Sequence, residues 1–323
     1  MSVLNSGVRV LRPERASLFS CATALLLILS ACAVPGKTGA ETHSATPGYT
    51  FSDITETSEN DREIPARVFR PQADCSPCDL IIFSHGAYAT YDRYDVLLTA
   101  WAEDGYVVVA PQHVDSEEHP DREAYASANS QPLRLEDYLE LSELFAAEDF
   151  EFEGLTLSGK QIAAGHSYGG LIALLAGGAV AAEGPLTYTE NAVEPIAVLA
   201  VSPPGALEGR IEAVGYSSVD KPTLVITGTT DVLPGFIDEW ETHLDSFEVS
   251  QPGLGYALVF EGMDHYFNGA FGRITPEGAA SEFAIDTLNT QISAFLEAAL
   301  NGEAPSGTAW TQTDNPIVRT LTK

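Results

Sequence analysis

One serine of this chain lies in a short glycine-rich segment of a kind that supports nucleophilic chemistry. Residues 165–170 read Gly-His-Ser-Tyr-Gly-Gly and match the pattern Gly-x-Ser-x-Gly. An apolar run precedes the segment and a run rich in Ala and Leu follows it, which predicts a strand, a sharp turn and a helix. Small flanking residues suit a strained turn that lifts a serine hydroxyl out of a sheet. The pattern indicates Ser167 as a nucleophile.

A serine hydroxyl needs a base to activate it, and that base needs a carboxylate to orient it. In folds with this turn, the acid and then the histidine follow the serine along the chain. We expect His265, just after a predicted strand at 256–260, to be the base. His243 falls within a predicted helix at 234–246, where we expect a solvated side chain. Asp231 follows a predicted strand at 223–227 and is the expected acid, with Asp238 as the weaker alternative.

The charge that develops on a substrate carbonyl must be stabilised by backbone N–H groups. The residue after the nucleophile, Tyr168, should supply one donor. Ala87, in the Ser-His-Gly-Ala-Tyr segment at 84–88, should supply the other. Tyr88 and Tyr91 follow this loop, and we expect them to bind the substrate.

These motifs resemble one branch of the α/β hydrolases, the dienelactone hydrolases and platelet-activating-factor acetylhydrolases, which is close to bacterial cutinases and polyester hydrolases. The resemblance covers about residues 49–300. Besides the segments at 84–88 and 165–170, it rests on Arg134 and Asp137, on Thr-Gly-Thr-Thr-Asp at 227–231 and on Gly-Met-Asp-His at 262–265. It implies hydrolysis of carboxylic esters through an acyl-enzyme, without metal or cofactor. Dienelactone hydrolase itself uses cysteine as its nucleophile, so that specific activity is not expected here.

Two alternatives to an ester hydrolase stay open at this point. The same three side chains would serve a peptidase or amidase, and a non-catalytic binding protein can retain a hydrolase scaffold. A polar segment at 113–119 contains two histidines and three acidic residues, but their spacing is irregular. We therefore expect this segment to form a solvated rim of the active cleft, and we expect no metal site.

The elements that must position these residues alternate between strands and helices. Strands are predicted at 49–55, 64–70, 80–83, 106–110, 161–165, 196–201, 223–227 and 256–260, and helices at 92–104, 132–148, 168–176, 234–246 and 279–300. This alternation predicts an α/β-hydrolase fold, with a mostly parallel central sheet and helices on both faces. The connection from 201 to 223 is too short for a large cap domain.

The first part of the chain resembles a bacterial lipoprotein signal. Three arginines precede an apolar run at 18–29, and residues 29–32 read Leu-Ser-Ala-Cys. The run is too short to span a bilayer. We expect a signal peptide at 1–31, lipidation of Cys32 and a flexible tether at 32–48, followed by the catalytic domain at 49–300 and a loose tail at 301–323. An ordinary signal peptide is the alternative. The lipid would attach the exported protein to the cell envelope, at the outer membrane or periplasm of a Gram-negative bacterium.

The strongly acidic charge of the chain limits the partners that it can bind. The chain has 16 Lys and Arg against 46 Asp and Glu, a formal net charge of −30. Such a charge repels nucleic acid and anionic lipid, so we expect no nucleic acid partner and membrane contact through the lipid anchor only. The expected substrate is a small or polymeric ester.

With Cys21 in the signal and Cys32 lipidated, Cys75 and Cys78 remain in an oxidising compartment, where a disulfide between them is expected.

Overall fold

The apolar runs of the sequence assemble into one large sheet in a computed structural model that describes residues 48–58, 60–73, 75–126, 128–147, 154–273, 282–305 and 317–323. The expected signal peptide, Cys32 and all of the tether except Gly48 lie outside the described residues. The strands are β1 Tyr49–Thr57, β2 Glu63–Pro71, β3 Cys78–Ser84, β4 Val107–Pro111, β5 Leu157–His166, β6 Val180–Ala181, β7 Gly184–Pro185, β8 Ala197–Val201, β9 Thr223–Gly228, β10 Gly255–Phe260 and β11 Val318–Thr322.

In the described residues, five α-helices and three short 3₁₀ helices connect the strands. They are α1 Asp95–Glu103, α2 Ser130–Ala146, α3 Tyr168–Ala176, α4 Asp245–Glu248 and α5 Glu282–Leu300, with 3₁₀ turns at Tyr91–Tyr94, Ala213–Ser218 and Trp240–Leu244. No helix in the described part of the chain combines the length and apolarity needed to cross a bilayer.

The main sheet has nine strands in the order β1-β2-β4-β3-β5-β8-β9-β10-β11. Strands β3, β4, β5, β8, β9 and β10 run parallel, whereas β1, β2 and β11 pair antiparallel at the edges. Every residue of β4 and β8 is buried, because helices cover both faces of the parallel strands. Residues of α1 and α5 pack on one face and residues of α2 and α3 on the other. The predicted fold class is confirmed.

The connection between β8 and β9 contains one 3₁₀ helix, Ala213–Ser218, and a single bridge between Leu207 and Ile211. It is too small to form a cap, as expected. The predicted disulfide joins Cys75 to Cys78, the first residue of β3.

Two predicted elements are wrong. The helix expected at 234–246 is instead a bridge between Leu233 and Ile237, then the 3₁₀ turn and the four residues of α4. The Pro-Gly pair at its start favours a turn, and Gly235 has φ +80°. The tail expected at 301–323 includes β11, which pairs with β10 and covers an otherwise open sheet edge.

The parallel strands bring the expected site residues to one edge of the sheet. The carboxyl ends of β3, β5, β8, β9 and β10 lead into the loops that carry residues 84–88, Ser167, Ser202, Asp231 and His265. In open parallel sheets this edge is the usual place for a ligand cleft.

Candidate active site

Ser167 occupies a strained turn between β5 and α3. Its backbone angles are φ 55° and ψ −119°, a conformation that non-glycine residues rarely adopt. Two flanking glycines make the turn sterically possible. A Cβ on Gly165 would lie 2.2 Å from the carbonyl oxygen of Gly169, and a Cβ on Gly169 would lie 1.8 Å from that of Ser84. The turn therefore depends on both glycines, and it holds the Ser167 side chain at the end of the strand.

The structure brings Ser167, His265 and Asp231 into one hydrogen-bonded chain. Ser167 Oγ lies 2.9 Å from His265 Nε2, and His265 Nδ1 lies 2.8 Å from Asp231 Oδ1. Because the carboxylate accepts from Nδ1–H, we assign Nε2 as the nitrogen that accepts from the serine hydroxyl. The alternative acid, Asp238, is exposed and accepts a hydrogen bond from the amide of Gly235.

The carboxylate of Asp231 is fully buried and accepts hydrogen bonds at both oxygens. Ser202 Oγ and Thr227 Oγ1 donate to Oδ2 at 2.6 and 2.9 Å. Burial alone would raise the pKa of Asp231, but hydrogen bonds from His243 and His265, and then their charges, outweigh it and hold the pKa well below its usual range. Asp231 is therefore ionised over the pH range in which proteins are stable.

His243 is part of this network, and the expectation that it is solvated is wrong. Its side chain is fully buried, with Nε2 2.9 Å from Asp231 Oδ1 and Nδ1 2.7 Å from the carbonyl oxygen of Pro203. The segment around it turns inward as a 3₁₀ helix instead of following the surface helix that we predicted. Nothing in the local sequence distinguishes a histidine that contacts a loop twelve residues away from one that faces water.

The two expected oxyanion donors are the backbone N–H groups of Ala87 and Tyr168. Among the described residues, neither the Ala87 nor the Tyr168 amide donates a hydrogen bond to another protein group. The Gly86 carbonyl accepts from Arg134 Nη2 at 3.1 Å. A trans peptide directs its N–H opposite to its C=O, so the Ala87 N–H points away from Arg134. Gly86 and Tyr168 both line the cleft described below.

A second chain of hydrogen bonds connects the loop at 84–88 to the turn that holds Ser167. The amide of Gly86 donates to Tyr94 Oη at 3.0 Å, and the Tyr94 hydroxyl donates to His166 Nδ1 at 2.9 Å. His166 Nε2–H then donates to the carbonyl oxygen of His265 at 2.8 Å. Burial lowers the pKa of His166 to about 3, so its imidazole is neutral, as this pattern requires. His166 therefore holds backbone in place.

A separate Ser-His-Asp chain lies beneath the loop at 84–88. His113 Nδ1 is 2.6 Å from Asp137 Oδ2, and His113 Nε2 is 3.1 Å from Ser84 Oγ. All three side chains are buried, and none of them lines the cleft. The segment at 113–119 was expected to form a solvated rim, and this is wrong for both of its histidines. His119 is buried, and α2 brings Asp137 against the buried His113. Because a substrate cannot reach these three side chains, we assign them a structural role beneath the cleft.

A cleft of ≈ 1220 Å³ opens above Ser167. Gly86, Tyr88, Tyr168 and His265 are among its lining residues. Tyr91, which we expected to bind substrate, is not among them, because its ring lies against the Arg67 guanidinium, 4.7 Å from Cζ. A second cavity, of ≈ 350 Å³, lies between α2 and the β6–β7 hairpin and contains none of the Ser167, His265 or Asp231 side chains.

Asp231, His243 and His265 place their potential ligand atoms within 4.8 Å of one another, a spacing compatible with a metal ion. Each ring nitrogen of the two histidines already has a partner, however: the Asp231 carboxylate, the Pro203 carbonyl or the Ser167 hydroxyl. Metal binding needs a free lone pair on a neutral imidazole. We therefore interpret the cluster as a hydrogen-bonded ionic network.

Comparison with solved structures defines the class of fold. A candidate dienelactone hydrolase from Klebsiella pneumoniae superimposes with a TM-score of 0.54 at 17% sequence identity, covering 77% of this chain and 99% of that one. An esterase from Pyrococcus furiosus superimposes with a TM-score of 0.54 at 14% identity, covering 77% and 90%. No protein-family model matches the sequence, and no curated protein is significantly similar to it. The chain has the α/β-hydrolase fold, and at these identities the likeness is one of fold.

Proposed function

We propose that this protein is a serine hydrolase that cleaves carboxylic esters. The observation that carries the proposal is the unbroken chain from Ser167 Oγ through His265 to the ionised Asp231, beginning on a strained turn at the floor of a cleft. A nucleophile, a base and an orienting carboxylate at hydrogen-bond distance are the set that acyl transfer requires.

The reaction follows from the positions of these groups. Ser167 Oγ attacks the ester carbonyl carbon while His265 Nε2 takes the serine proton. The negative charge on the carbonyl oxygen is stabilised by the amides of Ala87 and Tyr168. The tetrahedral intermediate then collapses, the carbon–oxygen bond to the alcohol breaks, and His265 gives its proton to the departing oxygen. Water, deprotonated by His265, attacks the acyl-enzyme in the same way and releases the acid.

Asp231 has no direct part in bond making. It accepts from Nδ1–H of His265 and so holds the ring with Nε2 towards Ser167. Its charge stabilises the imidazolium that forms when the serine proton moves. Ser202 and Thr227 fix the carboxylate from the other oxygen.

Labelling with a biotinylated fluorophosphonate, together with hydrolysis of p-nitrophenyl butyrate, tests the proposal. The full chain should be labelled once, at Ser167, and Ser167→Ala should abolish labelling. Ser167→Ala and His265→Ala should each lower ester hydrolysis by about 10⁴-fold or more while the protein still folds. Ser158→Ala, at an exposed serine, is the matched control and should keep both properties. Labelling at another residue, or full activity in either variant, would refute the assignment.

An amidase would use the same groups, so a matched pair of substrates separates the two activities. The p-nitroanilide with the same acyl group should be cleaved far more slowly than the p-nitrophenyl ester. Comparable kcat/KM values on both would favour the amidase instead. A protein that is neither labelled nor active on either compound would support the non-catalytic alternative.

A further inference from the structure

His243 is a second histidine on the carboxylate of Asp231. Its Nε2 lies 2.9 Å from Oδ1, the oxygen that also accepts from His265 Nδ1 at 2.8 Å. The two imidazole rings are tilted by 30°, and their centroids are 5.6 Å apart. The proposed reaction needs only one histidine, so a buried second one beside the same carboxylate requires a separate explanation.

Both ring nitrogens of His243 face hydrogen-bond acceptors. Nδ1 is 2.7 Å from the carbonyl oxygen of Pro203, and Nε2 faces Oδ1 and, at 3.2 Å, the backbone oxygen of Asp231. A neutral imidazole has one N–H and one lone pair. In the neutral state one of these oxygens would therefore face a lone pair inside a buried site, which is unfavourable. Only the doubly protonated ring satisfies both contacts, so the geometry indicates an imidazolium.

The surroundings of His243 are consistent with a single compensating charge. Burial alone would lower the pKa of His243, but the hydrogen bond and the charge of Asp231 outweigh it and raise the pKa above its usual value. The loop after β8 contributes the Pro203 carbonyl, which is uncharged. Among the described residues, Asp231 and His265 face His243, and His166 lies beyond His265. Glu241 and Asp245 belong to its own segment. Glu241 is exposed, and the Asp245 carboxylate accepts from the amide of Ala206.

We propose that His243 is a positioning residue, held as a buried imidazolium that fixes the Asp231 carboxylate and keeps His265 able to accept the serine proton at mildly acidic pH. The inference rests on the proposed ester hydrolase function. Asp231 and His243 together carry no net charge, so a proton on His265 gains less from Asp231 than it would without His243. Two like charges separated by about 5.6 Å in a partly desolvated site shift a proton equilibrium by about 1–2 pH units.

The pH dependence of kcat/KM for p-nitrophenyl butyrate in the His243→Gln variant tests this effect. Glutamine is neutral but retains an amide donor for the carboxylate. We expect the acidic limb of the profile to move upward by about 1–2 pH units, which lowers kcat/KM by about 10–100-fold at pH 5. At pH 8.5 the variant should remain within a few-fold of the wild type. An equal loss at every pH, or an unmoved acidic limb, would overturn the inference.

His119→Gln is the matched control for loss of a buried histidine. His119 lies outside the Asp231 network, and its Nδ1 accepts from the amide of Asp121. This substitution should leave the acidic limb where it is in the wild type. A shift as large as that of His243→Gln would mean that the limb reports general loosening of the fold, and it would also overturn the inference.

Nitrogen NMR of the ¹⁵N-histidine-labelled full chain keeps the inference testable even if His243→Gln does not fold. Among the histidines that the structure describes, His243 should have both nitrogens in the protonated range at pH 8, because both face acceptors. Burial favours the neutral form for His85, His113, His119 and His166. Finding only neutral imidazoles at pH 8 would overturn it. This measurement does not depend on catalysis. If the wild-type protein is neither labelled nor active, the proposed function is wrong. If it is active but the acidic limb does not move in His243→Gln, only the inference about His243 is wrong.

Discussion

The guanidinium of Arg134 lies over the ring of Tyr168, with Cζ 4.5 Å from the ring centroid. The same guanidinium donates to the carbonyl oxygens of His85 and Gly86 at 2.6 and 3.1 Å. Its remaining donors form a two-point contact with the carboxylate of Asp115. One buried cation therefore contacts the peptide unit that precedes Ala87 and the side chain of Tyr168, the two residues proposed to stabilise the oxyanion.

Replacement of Arg134 by lysine should reduce kcat more than it changes KM. Lysine keeps the charge, but it loses the planar fork that orients both carbonyls. Removing one oxyanion donor outright costs about 10²–10³-fold in kcat, and displacing one should cost about 10–100-fold. Arg210→Lys is the control, because Arg210 lies 5.8 Å from the same tyrosine ring but does not contact His85 or Gly86. Wild-type kcat in the Arg134→Lys variant would contradict this role.

Replacement of Arg134 by methionine should destabilise the fold as well. Burial would raise the pKa of Asp115, but the charge of Arg134 and its hydrogen bonds hold that pKa well below its usual range. Without Arg134, the largely buried carboxylate has no counterion, and breaking such a pair costs about 3–5 kcal/mol. Urea unfolding at pH 7 measures the loss. In an Arg134→Met, Asp115→Asn double variant, part of the stability should return.

Asp231→Asn should lower kcat/KM by about 10⁴-fold, because an amide cannot hold His265 in the required tautomer or stabilise its charge. The exposed Asp238, which accepts from the amide of Gly235, provides the control. Asp238→Asn should remain within a few-fold of the wild type. A larger effect at Asp238 than at Asp231, measured on the same ester, would show that the acid is wrongly assigned.

Much of this architecture was predictable because its signals are local. A short apolar run between turn residues indicates a buried parallel strand, and the glycines around Ser167 indicate the turn that they make possible. The positions of Asp231 and His265 follow from chain order once the strands are known. His243 was missed because its contacts join loops after three different strands, and their spatial register is absent from a local pattern. β11 was missed for the same reason: its partner, β10, lies far away in sequence.

The free energy of unfolding should decrease as the pH falls below about 6.5. Burial lowers the pKa of His85, His113 and His166 in the folded protein, so the unfolded chain takes up protons that the folded state does not. Each such histidine removes up to about 1.4 kcal/mol of stability per pH unit below 6.5. His243 acts in the opposite sense, because its raised pKa adds stability below 6.5 that is lost as the pH rises through the folded-state value.

Urea unfolding followed by tryptophan fluorescence between pH 5 and 8.5 measures both effects. The free energy of unfolding of the wild type should fall by several kcal/mol between pH 6.5 and pH 5. It should also fall at alkaline pH as His243 loses its proton, and His243→Gln should remove this second decrease. A free energy of unfolding that does not change between pH 5 and 7 would contradict the neutral, buried state of the three histidines.

The Cys75–Cys78 disulfide should contribute to stability but not to catalysis. It closes a very short loop, so replacing both cysteines with serine should lower the free energy of unfolding by only about 2 kcal/mol. Cys78 begins β3 and Ser84 ends it, which places the disulfide about 20 Å from the loop at 84–88. Ester hydrolysis should therefore be unchanged in the double variant. A large loss of kcat/KM would show that a structural change at the amino end of β3 alters the site at its carboxyl end.

The path of the chain into the sheet bears on the proposed lipid anchor at Cys32. Tyr49, at the start of β1, pairs with Pro71 at the end of β2, and β2 runs antiparallel to β4. The chain thus enters the sheet at the amino ends of the parallel strands, whereas Ser167 lies at their carboxyl ends. Because the described chain joins the sheet on the side away from the cleft, we expect a lipid anchor at Cys32 to leave the cleft accessible to substrate.

Cys32→Ser should therefore release the protein from the membrane fraction without changing kcat/KM on a soluble ester. Intact-mass analysis of the mature wild-type protein should show an N-terminus at Cys32 that carries a diacylglycerol, with or without an additional N-acyl chain. Two or more acyl chains anchor a protein stably, whereas a single chain binds a membrane only marginally. Cys21→Ser, within the apolar run at 18–29, is the matched control and should leave the mature mass unchanged. A soluble wild-type protein with an unmodified N-terminus at another residue would refute the anchor and leave the proposed esterase intact.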